Sequence, residues 1–171
     1  MELKVELSNI PLKNEKLDAL IVFVAEDTNV YGSGLSGLPD ELKKLLNASL
    51  KLKVFSGKKG SKQHFVSGYT KIPQMLAVGL GKKDELDTEA LRRAAGNAGK
   101  MLSGLKANSV GFLLTSFFKE STETDVGQVI VEGLALGAYE FNAYKKWSII
   151  KLHQKFKLNI EFMRNPNQCL L

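Results

Sequence analysis

One stretch constrains the fold of this chain more than any other. Met75–Leu105, MLAVGLGKKDELDTEALRRAAGNAGKMLSGL, reads as a strand, a turn and a helix in direct succession. The apolar run Met75–Val78 predicts a short strand. Gly79-Leu80-Gly81 predicts a tight turn at its end, because glycine reaches backbone angles closed to other residues. Beyond the turn Asp84 and Asp87 are candidate N-caps, and Leu91, Ala94, Ala95, Ala98, Leu102 and Leu105 recur at the period of an amphipathic helix. The inward stripe is mostly alanine with Gly99 beside it, so this helix is expected to approach a sheet closely, and Gly104 after Ser103 is a natural C-cap. A strand that turns straight into such a helix implies a layered α/β domain.

The flanking segments extend that pattern. Leu3, Val5 and Leu7 alternate with charged residues, which predicts a first or edge strand stopped by Pro11. Asp18–Ala25, DALIVFVA, has no charge inside its apolar run and predicts a central strand covered on both faces. After the loop Asn29–Gly37, the segment Leu38–Leu50 runs helically through Leu42, Leu45, Leu46 and Ser49, with Pro39 suited to its first turn. Lys51–Ile72 alternates weakly, with Leu52 and Val54 before SGKKGSK and Phe65 after it, which predicts a lysine-tipped hairpin. Ser109–Thr115 suits a buried strand and Ser116–Thr122 a loop. Ser121 or Thr124 can cap a second long helix, in which Val126, Val129, Ile130, Gly133, Leu134, Gly137, Phe141 and Tyr144 keep helical spacing. Gly133 and Gly137 would each weaken an isolated helix by ~1 kcal/mol relative to alanine, so close packing is the expected reason for them. Phe156, Leu158, Ile160 and Phe162 alternate as a closing strand. The expected fold is a three-layer α/β sandwich: a mixed, mostly parallel sheet with helices on both faces and antiparallel pieces at the hairpin. It spans one domain over residues 1–164, followed by a tail at 165–171.

At 171 residues, 44% hydrophobic and 25% charged, the chain suits one soluble globular domain. No apolar run is long enough to span a bilayer, and MELKVELSNI lacks the sections of a signal peptide, so a cytoplasmic location without membrane partners is expected. A single cysteine, Cys169, agrees with a reducing compartment. The net charge of +6 is uneven: residues 51–71 hold six lysines and no acid, while 107–144 are acidic and 145–171 basic again.

Few of the residues carry a chemistry. Gly79-Leu80-Gly81 followed by Asp84 departs from a dinucleotide fingerprint, since a carboxylate at the third position would repel a pyrophosphate. Gly81-Lys82 is not a phosphate-binding P-loop, because Lys83 replaces the Ser or Thr and Leu76 the first glycine. His64 and His153 have no neighbour at metal-ligand spacing, Cys169 lacks an activating base, and Glu26-Asp27 or Asp40-Glu41 fit solvated surface better than general acid-base pairs. Two weak binding candidates remain. The loop containing Gly32, Ser33, Gly34, Ser36 and Gly37 precedes a helix N-terminus, where free N–H groups favour an anion, although a flexible connection is the simpler reading. Lys58, Lys59 and Lys62, with Lys51, Lys53, Lys71, Phe55, Phe65 and Tyr69 around them, could bind nucleic acid weakly or form a solvated basic hairpin.

The stretch VGLGKKDELDTEALRRAAGNAGKML, together with VEGLALGAYEFNAYK at Val131–Lys145 and a looser match at Ala19–Val24, resembles the N-terminal domain of the leucyl (cytosol) aminopeptidases, the M17 family. The resemblance covers nearly the whole chain and implies an α/β fold similar to the macro domain. The loop at 32–37 correspondingly resembles the glycine-rich loop with which macro domains hold ADP-ribose phosphates. The family's peptidase chemistry is implied to reside in a second domain that binds two divalent metals such as zinc or manganese. Its motifs are Gly-Lys-Gly-x-Thr-Phe-Asp-Ser-Gly-Gly and Asn-Thr-Asp-Ala-Glu-Gly-Arg, and neither occurs in this chain. No catalytic or metal residue carries over, so the expectation is a non-catalytic domain whose partners are a catalytic domain and, by resemblance, the other subunits of a homo-hexamer.

Overall fold

A computed structural model describes residues 3–8, 12–32, 35, 37–105, 107, 109–113, 123–138 and 156–161. In chain order these form β1 (Leu3–Ser8), β2 (Ala19–Ala25), α1 (Asp40–Lys51), β3 (Lys62–Val66), β4 (Gln74–Gly81), α2 (Thr88–Leu102), β5 (Ser109–Leu113), α3 (Glu123–Ala138) and β6 (Phe156–Glu161). Short 3-10 turns at Leu12–Asn14 and Lys83–Glu85 lie between them. The six strands make one sheet in the order β1-β6-β5-β2-β4-β3, parallel except where β3 runs against β4.

The uninterrupted apolar run of β2 has its expected use. All seven residues are buried, and alternation sends them to two cores. Leu20, Val22 and Val24 join Leu42 and Leu46 of α1, together with Phe55, Phe65, Ile72 and Met75. Ala19, Ile21, Phe23 and Ala25 join the inward residues of α2 and α3. The sheet is therefore a layer between α1 on one face and α2 with α3 on the other. Connections also sort by direction. The chain moves toward the β3 edge from β1 to β2, through Leu12 and Leu17, and from β2 to β4 through α1, on one face. It moves the other way from β4 to β5 through α2, and on through α3, on the opposite face. That segregation is what right-handed crossovers require.

Several expectations need correction. No strand forms at Leu52–Val54: α1 runs to Lys51, a turn follows, and Leu52 and Val54 are 76% and 61% exposed. The antiparallel hairpin is β3–β4, joined through residues 67–73, so the lysine-rich segment leads into β3 instead of forming a tip. Gly79-Leu80-Gly81 is not a turn after the strand, since β4 runs through all three residues and ends at Gly81. Pro39 stands just before α1 as its N-cap, with φ −53° and ψ 145°. Gly104 follows the C-cap Ser103 without entering the left-handed region, and Gly104 N–H donates to the Met101 carbonyl at 3.2 Å. Thr124 is the second residue of α3, inside the helix and not its cap. The closing strand occupies an inner position between β1 and β5, while β1 is the edge. Ser116–Thr122, Phe141, Tyr144 and the tail at 165–171 lie outside the described residues.

The glycines of the long helices have a specific partner. A Cβ added to Gly137 would fall on the Gly96 backbone, one on Gly133 would fall on the Arg92 carbonyl, and one on Gly99 on the Leu134 carbonyl. Close packing is thus the reason for Gly133 and Gly137, as expected. Gly99, however, admits α3 and not the sheet; the alanines Ala94, Ala95 and Ala98 are what α2 buries in the core.

Candidate functional site

Three of the residues singled out for binding, Lys58, Lys59 and Lys62, lie around the place where β2 and β4 end. Between Val24 and Ala25 the register shifts, so that Val24 faces Gly79 and Ala25 faces Gly81, leaving Leu80 as an extra residue in β4. Gly81 takes φ +92°, a conformation that side chains disfavour. Into this irregularity folds the segment 57–61. Gly81 N–H donates to the Gly57 carbonyl at 2.9 Å, Gly79 N–H to the Ser61 carbonyl at 2.8 Å, and Glu26 N–H to the Gly81 carbonyl at 2.8 Å. A Cβ on Gly79 would strike the Lys58 carbonyl and the Ser61 hydroxyl, and one on Gly57 would come within 2.6 Å of the Ala25 carbonyl. Three backbone segments therefore interlock here, with glycine wherever a side chain would separate them.

That interlock displays charge. Lys58, Lys59 and Lys62 are exposed, and Lys59 Cβ lies 3.3 Å from where a Gly81 Cβ would be, so Lys82 and Lys83 join the same end of the sheet. Sequence reading missed those two lysines, although two glycines at a strand end were the available sign of a close backbone approach. The field is of mixed sign. Glu26, Asp27, Asp84 and Glu85 share this end of β2 and β4, and Lys82 pairs with Glu85 at 3.6 Å. The aromatic residues expected among the lysines are not free to stack on bases. Phe55 and Phe65 are 2% and 9% exposed, in the α1-side core, and Tyr69 donates its hydroxyl to the Lys13 carbonyl at 2.9 Å.

The other sequence candidates are less assembled. In the loop after β2, Ser33, Gly34 and Ser36 lie outside the described residues, whereas Gly32 and Gly37 are half-buried. The neighbouring N–H groups are engaged locally: Tyr31 N–H donates to Asn29 Oδ1 and Gly32 N–H to the Asn29 carbonyl, both at 3.0 Å. Asp40 and Glu41 occupy the first turn of α1 and already complement its dipole. His64 lies on β3 with Nε2 buried and without a hydrogen-bond partner, while His153 and Cys169 lie outside the described residues. Among the described residues no three His, Cys, Asp or Glu side chains are grouped so as to hold a metal ion. The described part of the chain thus does not fit the two-metal centre that the resemblance implies for the catalytic domain, and no step through a metal is derived from it. No helix among the described residues is long and apolar enough to cross a membrane.

A further polar cluster joins the two long helices. Arg92 donates to Glu89 at 2.7 Å and reaches Glu132 on α3 at 3.4 Å, Arg93 donates to Glu89 at 2.9 Å, and Gln128 donates to Glu132 at 2.8 Å. The hydrogen bonds from Arg92 and Arg93 hold the Glu89 carboxyl below its ordinary value, and the bond to Glu89 raises Arg92. Spacing alone foretells the Glu89 pairs, three and four residues apart on α2, but not the bridge to α3.

Comparison with known proteins agrees with this architecture. The profile described as "Cytosol aminopeptidase family, N-terminal domain" matches residues 21–148. The "Probable cytosol aminopeptidase" of Streptomyces coelicolor is 35% identical over 147 residues, covering 81% of this chain and 27% of that protein. That of Alkaliphilus oremlandii is 24% identical over 144 residues, covering 84% and 29%. The chain thus spans less than a third of the length of these relatives. Among solved structures, a mutant tomato leucine aminopeptidase superposes with a TM-score of 0.70 at 20% identity, over 95% of this chain and 33% of that one. The bottromycin maturation enzyme BotP in complex with Mn gives 0.57 at 16% identity, over 85% and 27%. The helix pair α2–α3, the strands β4 and β5 and all but the first two residues of β2 lie within the matched span, and on that footing the chain belongs to the cytosol aminopeptidase family, corresponding to its N-terminal domain.

Proposed function

We propose that this chain is a non-catalytic domain of the cytosol aminopeptidase family, acting in the cytoplasm in the assembly or regulation of a metallo-exopeptidase. The observation that carries the reading is the match itself. It falls on the family's N-terminal domain across residues 21–148, while relatives named as aminopeptidases are more than three times as long as the matched portion. The irregular end of β2 and β4 supports it, since the backbone segments at Gly57 and Gly79 pack so closely against their neighbours that no side chain fits at either glycine. In this reading residues 1–164 form one domain, 165–171 are a tail, and the partners are a catalytic domain and further copies. The test is an assay of leucyl-p-nitroanilide hydrolysis with manganese, zinc or cobalt at high protein concentration. No turnover is expected. Metal-dependent turnover that survives repurification, and disappears when an acidic residue of this chain is replaced, would refute it.

A second reading has one specific observation in its favour. Lys82 and Lys83 stand beside Lys58, Lys59 and Lys62, which enlarges the basic surface beyond its sequence block. Weak nucleic-acid association there would fall about a hundredfold or more between low and physiological salt. Duplex DNA titrated at two salt concentrations against wild type and Lys58→Glu with Lys59→Glu decides it: affinity indifferent to those substitutions removes the reading.

A further inference from the structure

β3, the edge strand at the opposite end of the sheet from β1, has a backbone pattern that is complementary to itself. In its antiparallel pairing with β4, Ser61 faces Gly79 and Ser67 faces Pro73 in hydrogen-bonded pairs, with Gly79 N–H donating to Ser61 O and Ser67 N–H to Pro73 O. Such pairs recur at every second residue, so Gln63 and Phe65 also turn their backbone groups toward β4. Lys62, His64 and Val66 therefore direct their N–H and C=O groups away from the sheet. One contact reports that direction independently: the Gln63 side-chain amide folds over to donate to the His64 carbonyl at 3.1 Å.

We propose that this edge pairs with the same edge of a second copy of the chain, antiparallel, about a two-fold axis at His64. This deepens the assembly reading above and rests on it. Three outward residues in a row of alternating positions are symmetric about the middle one. The His64-centred register sets His64 against His64 and Lys62 against Val66 of the second copy. It pairs all three outward residues, and a shift either way pairs only two of them. One of those shifts also places Lys62 against a histidine.

Side-chain chemistry favours a second copy over an unrelated strand. Val66 is 77% exposed, and its apolar side chain does not guard the open edge as a charge would. In the proposed register the aliphatic stem of Lys62 from the other copy covers it, and no like charges meet. The Gln63 amide that occupies the His64 carbonyl in the single chain swings away and yields to a backbone N–H. Two six-stranded sheets then become one continuous sheet, joined β3 to β3.

The test uses the full chain. Sedimentation over a range of concentrations is compared for wild type, His64→Pro and Val66→Lys. Proline at position 64 removes an outward N–H while sparing the bonds to β4, and lysine at 66 meets Lys62 of the second copy. Circular dichroism confirms that the variants remain folded. If His64→Pro unfolds, Val66→Lys alone decides. A reversible dimer weakened about tenfold or more by these substitutions is expected. Lys62→Cys with Val66→Cys, in a Cys169→Ser background, should oxidise to a covalent dimer, because hydrogen-bonded partners have Cα atoms within disulfide reach. A dimer indifferent to the substitutions and without the cross-link overturns the edge assignment while leaving assembly through another surface intact. A chain that stays monomeric at every concentration, including one that instead adds an unrelated extended peptide to β3, overturns the proposal outright. The metal-dependent hydrolysis assay is unaffected by any of these outcomes and judges the non-catalytic reading separately.

Discussion

The two faces of the sheet are held by different means. On the α1 face the core is built from large side chains, Leu42, Leu46, Phe55, Ile72 and Met75, which fill the space between helix and strands. On the other face α2 and α3 meet through Gly96, Gly99, Gly133 and Gly137, so their backbones touch, and α2 lays alanines toward the core. The first arrangement depends on volume and the second on proximity. A volume-held layer should therefore suffer from truncation, and a proximity-held layer from addition.

The largest expected effect is on the α1 face. Leu46→Ala should cost about 2–5 kcal/mol in urea unfolding, because a fully buried side chain is lost and a cavity remains. On the opposite face the same experiment inverts. Gly137→Ala adds a methyl group directly onto the Gly96 backbone and should destabilise by about 1–3 kcal/mol, even though alanine favours helices. Gly96→Ala sharpens the contrast. Its new methyl group would have the Gly133 carbonyl as nearest neighbour, at an ordinary 3.6 Å, so the substitution should be neutral or stabilise by up to ~1 kcal/mol. Equal losses for Gly96→Ala and Gly137→Ala would mean that the helices adjust freely, and the comparison would fail.

Smaller effects come from the ends and surfaces of the same layer. Asp87 accepts a hydrogen bond from Ala90 N–H at 2.6 Å as the N-cap of α2, so Asp87→Ala should cost ~1 kcal/mol and lower Tm accordingly. The smallest concerns Glu89. Its folded-state value is depressed by Arg92 and Arg93, so its contribution is complete above the ordinary 4.5 and is lost as pH falls through the lower folded value. A carboxyl titration followed by NMR should place Glu89 below 4.5, and Arg92→Gln with Arg93→Gln should return it toward that value.

Much of the architecture was legible because its signals are local. The unbroken apolar run of β2 and the three- and four-residue spacing of α2 each describe their own surroundings, while the paired glycines of α3 announce a close partner without naming it. The errors arose where a residue answers to something distant. Gly79 and Gly81 look like a turn, yet what they make room for is the segment 57–61, some twenty residues earlier in the chain. Leu52 and Val54 resemble a strand by alternation alone, but no neighbouring strand pairs with them, and they stay exposed after α1. The site was less legible for the same reason. Lys82 and Lys83 come to the same end of the sheet as Lys58 and Lys59 because the segment 57–61 packs on Gly79 and Gly81, and the bridge from Arg92 to Glu132 joins separate helices.

The place of β6 in the sheet bears on the order in which the molecule can be made. Leu3 at the start of β1 pairs with Phe156, and β6 in turn pairs with β5, so among the described residues β1 is joined to the sheet through a strand that follows it in the chain by about 150 residues. β2, β4 and β5 can assemble around α2 while synthesis continues, because their partners are already present. Until β6 is made, β1 remains an unpaired, aggregation-exposed segment, and its pairing carries the entropic cost of closing a long loop. Chaperone dependence would therefore concentrate on β1 and be relieved when β6 arrives.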